Sequence, residues 1–457
     1  MTDTQLLGQL LKDFEVLKKE NARLISRVAE LEEKLSKYEN PKNSTNSSIP
    51  PSQDPNRTTK SLRKKSNRKV GGQKGHKGHK LHKVAAADKI IFHDITQCEC
   101  CNSLLSEEGI IKSRQVFDIP KIKIQVTEYR TISKKCTNCG ANNTSKFPEE
   151  LVQEAQYGNH IKSLGVYLQN YHMIPYDRCV ELLYDLTGHR LSAGSLANFQ
   201  SKMYLSLGTF EQNIKTLLLQ ESVLNVDETG MKVNGKGNWM HVTSTPLLSY
   251  FGFHQKRGQQ AIDSFNILPR YKGTITHDRF SPYFKYQCEH SLCNAHILRE
   301  LLYLWEVKKV KWTKDISNLL INVYHRQKQG KEFTHRNYQN ILKRWEDLIR
   351  PTIENYNKKY NKTKQEKLAF ALEKHKHLFL KFIKEKEIPF DNNQAERDLR
   401  MIKVKQKVSG CFRQESYATY FARVRSYIST LKKNQENILD NIYKAFEHKD
   451  FFPNLAE

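Results

Sequence analysis

Three carboxylates in the second half of the chain have the type and placing needed for two-metal phosphoryl transfer. Asp227 follows the apolar run 223–226, Asp278 ends the β-branched segment that starts at Gly273, and Glu396 opens a helical stretch. This chemistry uses two divalent cations about 3.5–4 Å apart, one at the attacking oxygen and one at the leaving oxygen. Mg²⁺ and Mn²⁺ prefer carboxylate oxygen. We therefore predict that Asp227, Asp278 and Glu396 are catalytic ligands of Mg²⁺ or Mn²⁺, with Asp227 bridging both ions.

The segment around Glu396 predicts a helix that carries both the third acid and cations. Asp391 is suited to cap this helix, and Arg400 lies four residues beyond Glu396 on the same face. Lys403 follows about one turn further on, so we predict that Arg400 and Lys403 bind phosphate. Taken alone, the pattern equally fits an ordinary charged surface helix.

Other acids compete for the third position, because a long gap separates Asp278 from Glu396. Asp398 lies about 200° around the helix from Glu396, so both cannot face the same ions. Glu300 enters a helix that we expect to pack on the sheet. A helical insertion at 297–390, leaving the core and returning to it, accounts for the gap.

Two cysteine pairs have the spacing of a zinc site, Cys98-x₂-Cys101 and Cys136-x₂-Cys139. Four thiolates give Zn²⁺ a closed tetrahedral shell, which is typical of structural sites. The gap between the pairs is longer than in the usual finger, but a β ribbon over 116–132, rich in β-branched residues, would accommodate it. The alternative is reduced, unliganded cysteine, and the extra thiol of Cys100 leaves the register of the first pair open.

A second cluster of metal-ligand types contains Cys288, His290, Cys293 and His296. It would suit a further zinc ion, but a core strand followed by a helix explains Cys293 and His296 more simply. We also expect His296 near the catalytic acids, because it opens the helix after the strand.

The elements that must position the three acids are strands followed by helices. Strands are predicted at 223–226, 231–233, 239–243, 247–253 and 273–278, with a hairpin turn at 234–238 and a short helix near Ala261. Helices follow over 296–390 and 391–446. Strands that carry acids at their ends, followed by helices, indicate a ribonuclease-H-like α/β core.

Two further regions precede this core. At 155–206 we predict helices over 161–172 and 177–187, with Gly188 as a stop and Ser195 as the cap of a third helix. That arrangement fits either a helix-turn-helix DNA reader or a plain helical spacer. Residues 6–39 carry about four heptads, which predicts a parallel coiled-coil dimer, or else one amphipathic helix packed on its own domain. The predicted dimer contacts are Leu10, Leu17, Asn21, Leu24, Val28 and Leu31.

The charge is strongly positive and concentrated. Lys and Arg number 75 against 49 Asp and Glu, a net charge of +26, and residues 57–83 contain basic residues and no acid. A merely basic surface is the alternative, but a run this dense in a disordered arm predicts binding along DNA phosphates or in a minor groove. The residues predicted to bind double-stranded DNA are Arg63, Lys64, Lys65, Arg68, Lys69, Lys74, Lys77 and Lys80, with Arg400 and Lys403 from the core.

Composition also limits the compartment and the domain plan. There is no apolar run long enough to span a bilayer, and the charged, heptad-patterned start is unlike a signal peptide, so we expect no membrane association and a cytoplasmic, nucleoid-associated protein. The predicted order is a coiled coil at 1–39, a basic arm at 40–89, a zinc-finger-like module at 90–150, a helical region at 151–215, a catalytic core at 216–446 and a tail at 447–457.

In the order and spacing of its motifs the chain resembles the insertion-sequence 66 family of bacterial transposases. The motifs that carry this resemblance are the leading coiled coil, the glycine- and lysine-rich stretch 71–79, the cysteine module, Tyr171-His-Met-Ile-Pro-Tyr176, Val226-Asp-Glu-Thr229, Cys293-Asn-Ala-His296 and Asp391-Asn-Asn-Gln-Ala-Glu-Arg397. One departure is Lys74, where the family commonly has proline.

The resemblance implies an Asp-Asp-Glu enzyme, with Asp227, Asp278 and Glu396 as the triad, a ribonuclease-H-like core, Mg²⁺ dependence and a zinc finger. It implies water attack at the element's end, followed by attack of the freed 3′ hydroxyl on target DNA. In this family, mobility can require separately encoded accessory proteins. Two other functions fit the residues: a ribonuclease-H-like nuclease or resolvase that cuts without joining, and a non-enzymatic DNA-binding regulator.

Overall fold

The structure is a computed structural model that describes residues 3–39, 81–106, 110–356 and 362–449. The basic arm at 40–80 and most of the tail lie outside the described residues. The helices are α1 Asp3–Glu39, α2 Asn159–Asn170, α3 Tyr176–Thr187, α4 Ala193–Ser206, α5 Gly208–Gln220, α6 Gln259–Ser264, α7 Asn294–Lys308, α8 Lys311–Lys328, α9 His335–Glu354, α10 Lys364–Lys374, α11 Lys376–Phe379, α12 Lys381–Lys384, α13 Asn393–Ser409, α14 Glu415–Lys433 and α15 Ile438–Phe446.

The strands form two sheets. The small one pairs β1 Ser133–Lys135 with β2 Asn142–Thr144. The large one contains β3 Val223–Val233, β4 Lys236–Ser244, β5 Ser249–His254, β6 Thr274–His277 and β7 Glu289–Leu292. Its order is β5-β4-β3-β6-β7: β3, β4 and β5 are antiparallel neighbours, whereas β6 and β7 run parallel to β3. The predicted strands are therefore observed with two differences: 223–226 and 231–233 belong to one strand, β3, and β7 was not predicted.

The two faces of the large sheet pack against different helices, because side chains alternate along each strand. Leu224 and Val226 of β3 point into a core shared with α2–α5, α14 and α15. Met231 and Val233 point to the opposite face, where α13 and α14 cover them. Val223, the first residue of β3, lies on that second face and packs against the hydrophobic cluster built by α7–α12.

The sheet edge at β5 is covered by α14. The backbone amide of Phe251 donates to the hydroxyl of Ser426 (2.8 Å), and that of Ser249 donates to the hydroxyl of Thr430 (3.2 Å). Edge-strand amides otherwise offer a template for pairing with another chain. Two small polar residues on α14 therefore close this edge within the molecule.

The region at 151–215 is helical, as predicted, but it shares its core with the sheet. Phe199 and Met203 of α4, with Phe210 of α5, belong to the same buried cluster as Val226 of β3. The cap of α4 was assigned wrongly: the hydroxyl of Ser192 accepts the amide of Ser195, so Ser192 is the N-cap. The helical region is therefore packed onto the large sheet.

Between the sheet and α13, the chain folds into helices α7–α12 around a hydrophobic cluster of their own. Trp345 of α9 is fully buried at its centre, with Leu301 of α7, Leu320 of α8 and Phe379 of α11 around it. This agrees with the predicted helical insertion at 297–390. None of the described helices is long and apolar enough to cross a membrane.

The cysteine module contains less β structure than predicted. Its strands are limited to β1 and β2, and residues 116–132 form no strand although they are rich in β-branched types. Val116 and Val126 are 92% and 87% exposed. The segment has neither a pairing partner nor a covered face among the described residues, and the β-branched side chains alone do not create a ladder.

Candidate active site

Asp227 lies on the face of the sheet that meets α13, between two hydrophobic clusters. It was predicted at the end of a strand, but β3 continues to Val233, so Asp227 lies in its middle. The physical reason is that β4 pairs with β3 from Asn225 to Val233, whereas the parallel neighbour β6 pairs only as far as Asn225. Asp227 therefore lies two residues beyond the point where the parallel half of the sheet ends.

Asp278 follows β6 directly, as predicted. Its carboxylate accepts the backbone amide of Phe280 (3.0 Å), and Arg279 between them has φ of 73°, in the left-handed region. This tight turn holds Asp278 at the end of the parallel half of the sheet, on the side of Asp227. The carboxylate of Asp278 is close enough to contribute to raising the pKa of Asp227.

Glu396 lies in the first turn of α13, and a buried asparagine fixes this helix to the sheet. The side-chain amide of Asn392 donates to the carbonyl of Val226 (2.8 Å) and its oxygen accepts from the amide of Asn225 (2.9 Å). The backbone amide of Asn392 also donates to the sulfur of Cys293 (3.1 Å). These bonds hold the start of α13 beside Asp227.

The predicted cap of α13 needs a correction. Asn392, not Asp391, is the N-cap residue, although the carboxylate of Asp391 does accept the amide of Asn393 (3.0 Å). Asn392 cannot cap with its side chain because that side chain is bonded to β3. Asp391, one position earlier, therefore supplies the side-chain oxygen that accepts a free backbone amide at the start of α13.

Glu396 has two cationic or basic neighbours on α7. Its Oε1 accepts from the guanidinium of Arg299 (3.0 Å) and lies 3.7 Å from Nδ1 of His296. The expectation that His296 lies near the acids is met by this geometry. Burial and the adjacent Arg299 lower the pKa of His296, whereas Glu396 and Asp278 oppose that effect.

The electrostatics of the site favour a bound cation. Burial, then the carboxylates of Glu228, Asp278 and Glu396, raise the pKa of Asp227 well above its usual range. Within the described part of the chain, no nitrogen of Lys, Arg or His lies within 4.0 Å of the carboxylates of Asp227 or Asp278. A divalent cation would supply the missing compensation, and carboxylate oxygens are the ligands Mg²⁺ prefers. The residues present fit that ion.

Glu228 points to the opposite face, as expected for a strand neighbour. Its buried carboxylate pairs with Arg257 (2.7 Å) and accepts the hydroxyl of Tyr283 (2.6 Å). Arg257 in turn lies over the rings of Phe280 (4.1 Å) and Trp239 (4.9 Å). Glu228 is therefore a compensated structural acid, in contrast to Asp227.

The competing acids have cationic partners away from Asp227. Asp398 accepts from Lys433 (2.8 Å) and Glu300 forms an ion pair with Arg279. Glu289, a further acid between Asp278 and Glu396, pairs with Lys381 (3.1 Å). Asp398 is turned away from Glu396, as the helical angle predicts. Among the candidates for the third acid, Glu396 is the one beside Asp227.

The two predicted phosphate-binding cations on α13 differ in their surroundings. Arg400 is exposed. Lys403 is half-buried, and its ammonium donates to the carbonyl of Gly230 and to the side chain of Gln406 (3.4 Å). Lys403 therefore already has protein partners, whereas Arg400 faces solvent.

The predicted second metal cluster does not form as a set of four. His290 contacts His277 (3.2 Å), on the parallel edge of the sheet. Among the described residues, the group of three whose ligand atoms lie within 4.8 Å of one another is Cys293, His296 and Glu396. Cys293 is the N-cap of α7, which agrees with the simpler strand-then-helix interpretation.

The two cysteine pairs lie in turns of the same design. The amide of Cys98 donates to the carbonyl of Ser103 and that of Asn102 to the carbonyl of Cys98, both at 2.9 Å. The amide of Cys136 donates likewise to Ala141 (2.8 Å), and that of Gly140 to Cys136 (2.9 Å). Asn102 and Gly140 have φ of 57° and 73°. The match favours Cys98 and Cys101 over Cys100 as the first pair, although in the described structure no three of the four paired sulfur atoms lie within 4.8 Å of one another.

Sequence reasoning missed three residues that shape the site: Asn392, Arg299 and Tyr283. Asn392 was read only as part of a motif, and nothing local signals that its amide bonds to a strand far away in sequence. Arg299 is three residues after His296, so helical spacing could have placed both on one face. Tyr283 carried no sequence signal.

Comparison with known families gives matches over three parts of the chain. The family model described as transposase IS66 family matches residues 154–420. A model for the zinc-finger binding domain of transposase IS66 matches residues 96–140, which supports structural zinc in the cysteine module, and a family of unknown function matches residues 4–82. No curated protein matches the chain. Because the first match covers more than half of the sequence, the chain belongs to the IS66 family of transposases.

Proposed function

We propose that this protein cleaves DNA at transposon ends and joins the freed 3′ hydroxyl to target DNA, with Asp227, Asp278 and Glu396 as an Asp-Asp-Glu triad. The observation that carries the proposal is that these three acids lie on one face of the sheet, near enough for their charges to interact. They come from β3, the end of β6 and α13; burial and the charge of Glu228, followed by the charges of Asp278 and Glu396, raise the pKa of Asp227. Two of the three have no ion-pair partner in the described part of the chain.

The sheet supports a ribonuclease-H-like core. An antiparallel unit of three strands continues into two parallel strands, with the first strand of this sheet, β3, at the centre of the order β5-β4-β3-β6-β7. Asp227 lies in β3 two residues beyond its last pair with β6, and Asp278 follows β6. Both acids therefore lie where the parallel half of the sheet ends, which is a common place for a ligand site. We interpret α7–α12 as an insertion into this core.

In this proposal, Asp227, Asp278 and Glu396 hold two Mg²⁺ or Mn²⁺ ions. When bound, the ions activate the attacking oxygen and stabilise the leaving oxygen. Asn392 positions α13, so that Glu396 faces Asp227. Arg299 holds one oxygen of Glu396 in place, and exposed Arg400 on the same helix is available for a DNA phosphate.

Other parts of the chain would supply DNA affinity and assembly. We propose that the basic arm, whose lysines and arginines lie outside the described residues, contacts double-stranded DNA, and that the zinc module adds to this binding. We further propose that α1 pairs with a second copy, that accessory transposition proteins take part, and that the protein works in the cytoplasm at the nucleoid.

The test is the substitution Glu396→Gln, which keeps the shape of the side chain but removes the charge needed by the ions. Cleavage and joining of a labelled transposon-end DNA with Mg²⁺ should fall by about a hundredfold or more, with folding and DNA binding retained. The matched control is Glu300→Gln, because Glu300 is a nearby acid paired with Arg279. The assignment fails if Glu396→Gln cleaves at near the wild-type rate while Glu300→Gln is inactive.

The same assay separates transposition from cutting alone. A wild-type protein that releases 3′ hydroxyl ends but never joins them to target DNA would be a nuclease or resolvase. A wild-type protein that neither cuts nor joins DNA, and whose DNA binding is unchanged in a variant lacking all three acids, would be a DNA-binding regulator. Joined products are the expected result.

A further inference from the structure

A thiol, an imidazole and a carboxylate converge at the contact between α7 and α13. Cys293 caps α7, His296 lies in its first turn, and Glu396 lies in the first turn of α13. Their ligand atoms lie within 4.8 Å of one another. This set is distinct from the two cysteine pairs of the zinc module and is not the predicted quartet with Cys288 and His290.

The spacing of these three side chains is compatible with ligands of one metal ion. Nδ1 of His296 lies 3.7 Å from Glu396, too far for a hydrogen bond, whereas ligands of one tetrahedral zinc ion lie about 3.4 Å apart. That Nδ1 atom is buried and has no hydrogen-bond partner in the described structure. A buried ring nitrogen without a partner costs free energy that a bound ion would recover.

The surroundings of Cys293 also favour a ligand role. Its buried sulfur accepts the backbone amide of Asn392 (3.1 Å), which fixes the position of the sulfur atom beside His296 and Glu396. The same two residues tie α7 to α13, so the ligands are held on rigid helix starts. Thiolate and imidazole together select Zn²⁺ over Mg²⁺.

We propose that Cys293, His296 and Glu396 bind a thiophilic divalent cation of the Zn²⁺ class, with the fourth position open to water or to a DNA phosphate oxygen. The ion takes the carboxylate that the proposed catalysis needs for Mg²⁺, so zinc at this site blocks the magnesium-dependent reaction. This second consequence rests on the proposed function, whereas the binding site itself does not.

Arg299 limits the affinity of the site. Its guanidinium bonds to Oε1 of Glu396 and places a positive charge beside the ion. The second carboxylate oxygen stays available, so binding does not require loss of the ion pair. Removing the cation with Arg299→Gln should therefore tighten zinc binding.

The experiment uses the full-length chain with Cys98, Cys101, Cys136 and Cys139 replaced by serine, which removes the zinc module as a competitor. Titration with Co²⁺ should give tetrahedral d–d bands and a sulfur-to-cobalt charge-transfer band that saturate at about one ion per chain. Zn²⁺ should displace the cobalt. Adding Cys293→Ser should abolish the charge-transfer band, and adding Cys288→Ser, a nearby thiol outside the cluster, should leave it unchanged.

His296→Gln guards against a folding artefact in Cys293→Ser, because His296 is partly exposed. It should weaken Co²⁺ binding by about tenfold or more while the circular dichroism spectrum stays that of the parent. The proposal is overturned if the parent binds no Co²⁺, or if the charge-transfer band persists in Cys293→Ser.

The catalytic consequence is read separately. Micromolar Zn²⁺ should inhibit Mg²⁺-dependent DNA cleavage by the parent chain, and a chelator that binds Zn²⁺ far more tightly than Mg²⁺ should restore it. Cobalt binding at Cys293 in a protein that never cleaves DNA would refute the proposed function and leave the metal site standing. DNA cleavage by a protein that binds no Co²⁺ would refute the metal site and leave the proposed function standing.

Discussion

At the scale of single residues, two adjacent acids on β3 have opposite surroundings. Glu228 pairs with Arg257 and receives the hydroxyl of Tyr283, and both partly offset the burial that raises its pKa. Among the described residues Asp227 has no such partner, and burial with the charges of Glu228, Asp278 and Glu396 raises its pKa well above the usual range. Strand alternation separates the two, since neighbours on a strand point to opposite faces. Two adjacent carboxylates therefore differ in whether a cation already faces them.

This difference predicts that Asp227 destabilises the metal-free protein. When the pKa of a carboxyl is higher in the folded than in the unfolded protein, its ionisation opposes folding. The free energy of unfolding therefore falls as pH rises from the unfolded pKa of about 3.9 towards the folded pKa. Asp227→Asn should therefore raise the free energy of unfolding at pH 7 by about 1 kcal/mol or more, because each pKa unit is worth about 1.4 kcal/mol. Urea unfolding in a metal chelator measures this.

Mg²⁺ provides the second arm of that measurement. It should stabilise the wild-type protein and leave Asp227→Asn nearly unchanged. Glu228→Gln is the matched control: it should destabilise by about 1–3 kcal/mol because Arg257 loses its partner. Equal destabilisation by both variants would show that Asp227 is compensated in a way not described above.

At the scale of elements, the zinc module consists of two equivalent turns with little core around them. Each turn returns the chain through two backbone hydrogen bonds and places a residue with positive φ after its second cysteine. The intervening 116–132 segment exposes its apolar side chains and forms no strand. With so little buried surface, the module depends on its metal for stability.

Cys136→Ser should therefore release zinc and unfold the 90–147 module while the catalytic half stays folded. The expected signs are loss of about one zinc ion per chain by elemental analysis and rapid proteolysis confined to that module. Cys100→Ser is the control, since Cys100 lies outside the matched pairs, and it should retain zinc. A purified wild-type protein without zinc would contradict the assignment.

At the scale of the whole molecule, helices cover the large sheet, whereas helix α1 leaves apolar side chains exposed. The sheet is covered on both faces, and α14 closes its β5 edge. The predicted contact residues of α1 that can be assessed, by contrast, are about half or more exposed: Leu17 67%, Leu24 53%, Val28 53% and Leu31 49%. The helix itself is confirmed, and its pairing stays a prediction. A repeated apolar stripe on a 37-residue helix favours a partner helix.

Deleting residues 1–39 should lower the oligomeric state, measured as molar mass by light scattering. Asn21→Leu, which removes the buried amide expected to fix a two-stranded register, should raise stability but broaden the distribution of oligomers. An unchanged mass after the deletion would mean that another surface holds the copies together.

Much of the local structure could be predicted from the sequence, because it depends on short-range patterns. Alternation and turn residues place β4, β5 and β6, and Gly188 ends α3 in the left-handed conformation that glycine adopts most easily. Cysteine spacing indicates the two turns of the zinc module. The acids at 227, 278 and 396 stand out because motif order and residue type single them out before any contact is known.

Only the tertiary structure decides which side chains meet. The length of β3 depends on its partner β4, so no local signal shows that Asp227 lies in mid-strand. Asn392 caps α13 without using its side chain, because that amide bonds to β3 across 166 residues of sequence. Arg299 and His296 reach Glu396 because the helices after β7 return to the sheet. Contacts of this kind arise from packing between segments that are distant in sequence. Patterns in a single sequence predict the individual helices and strands, but they do not predict which of them come into contact.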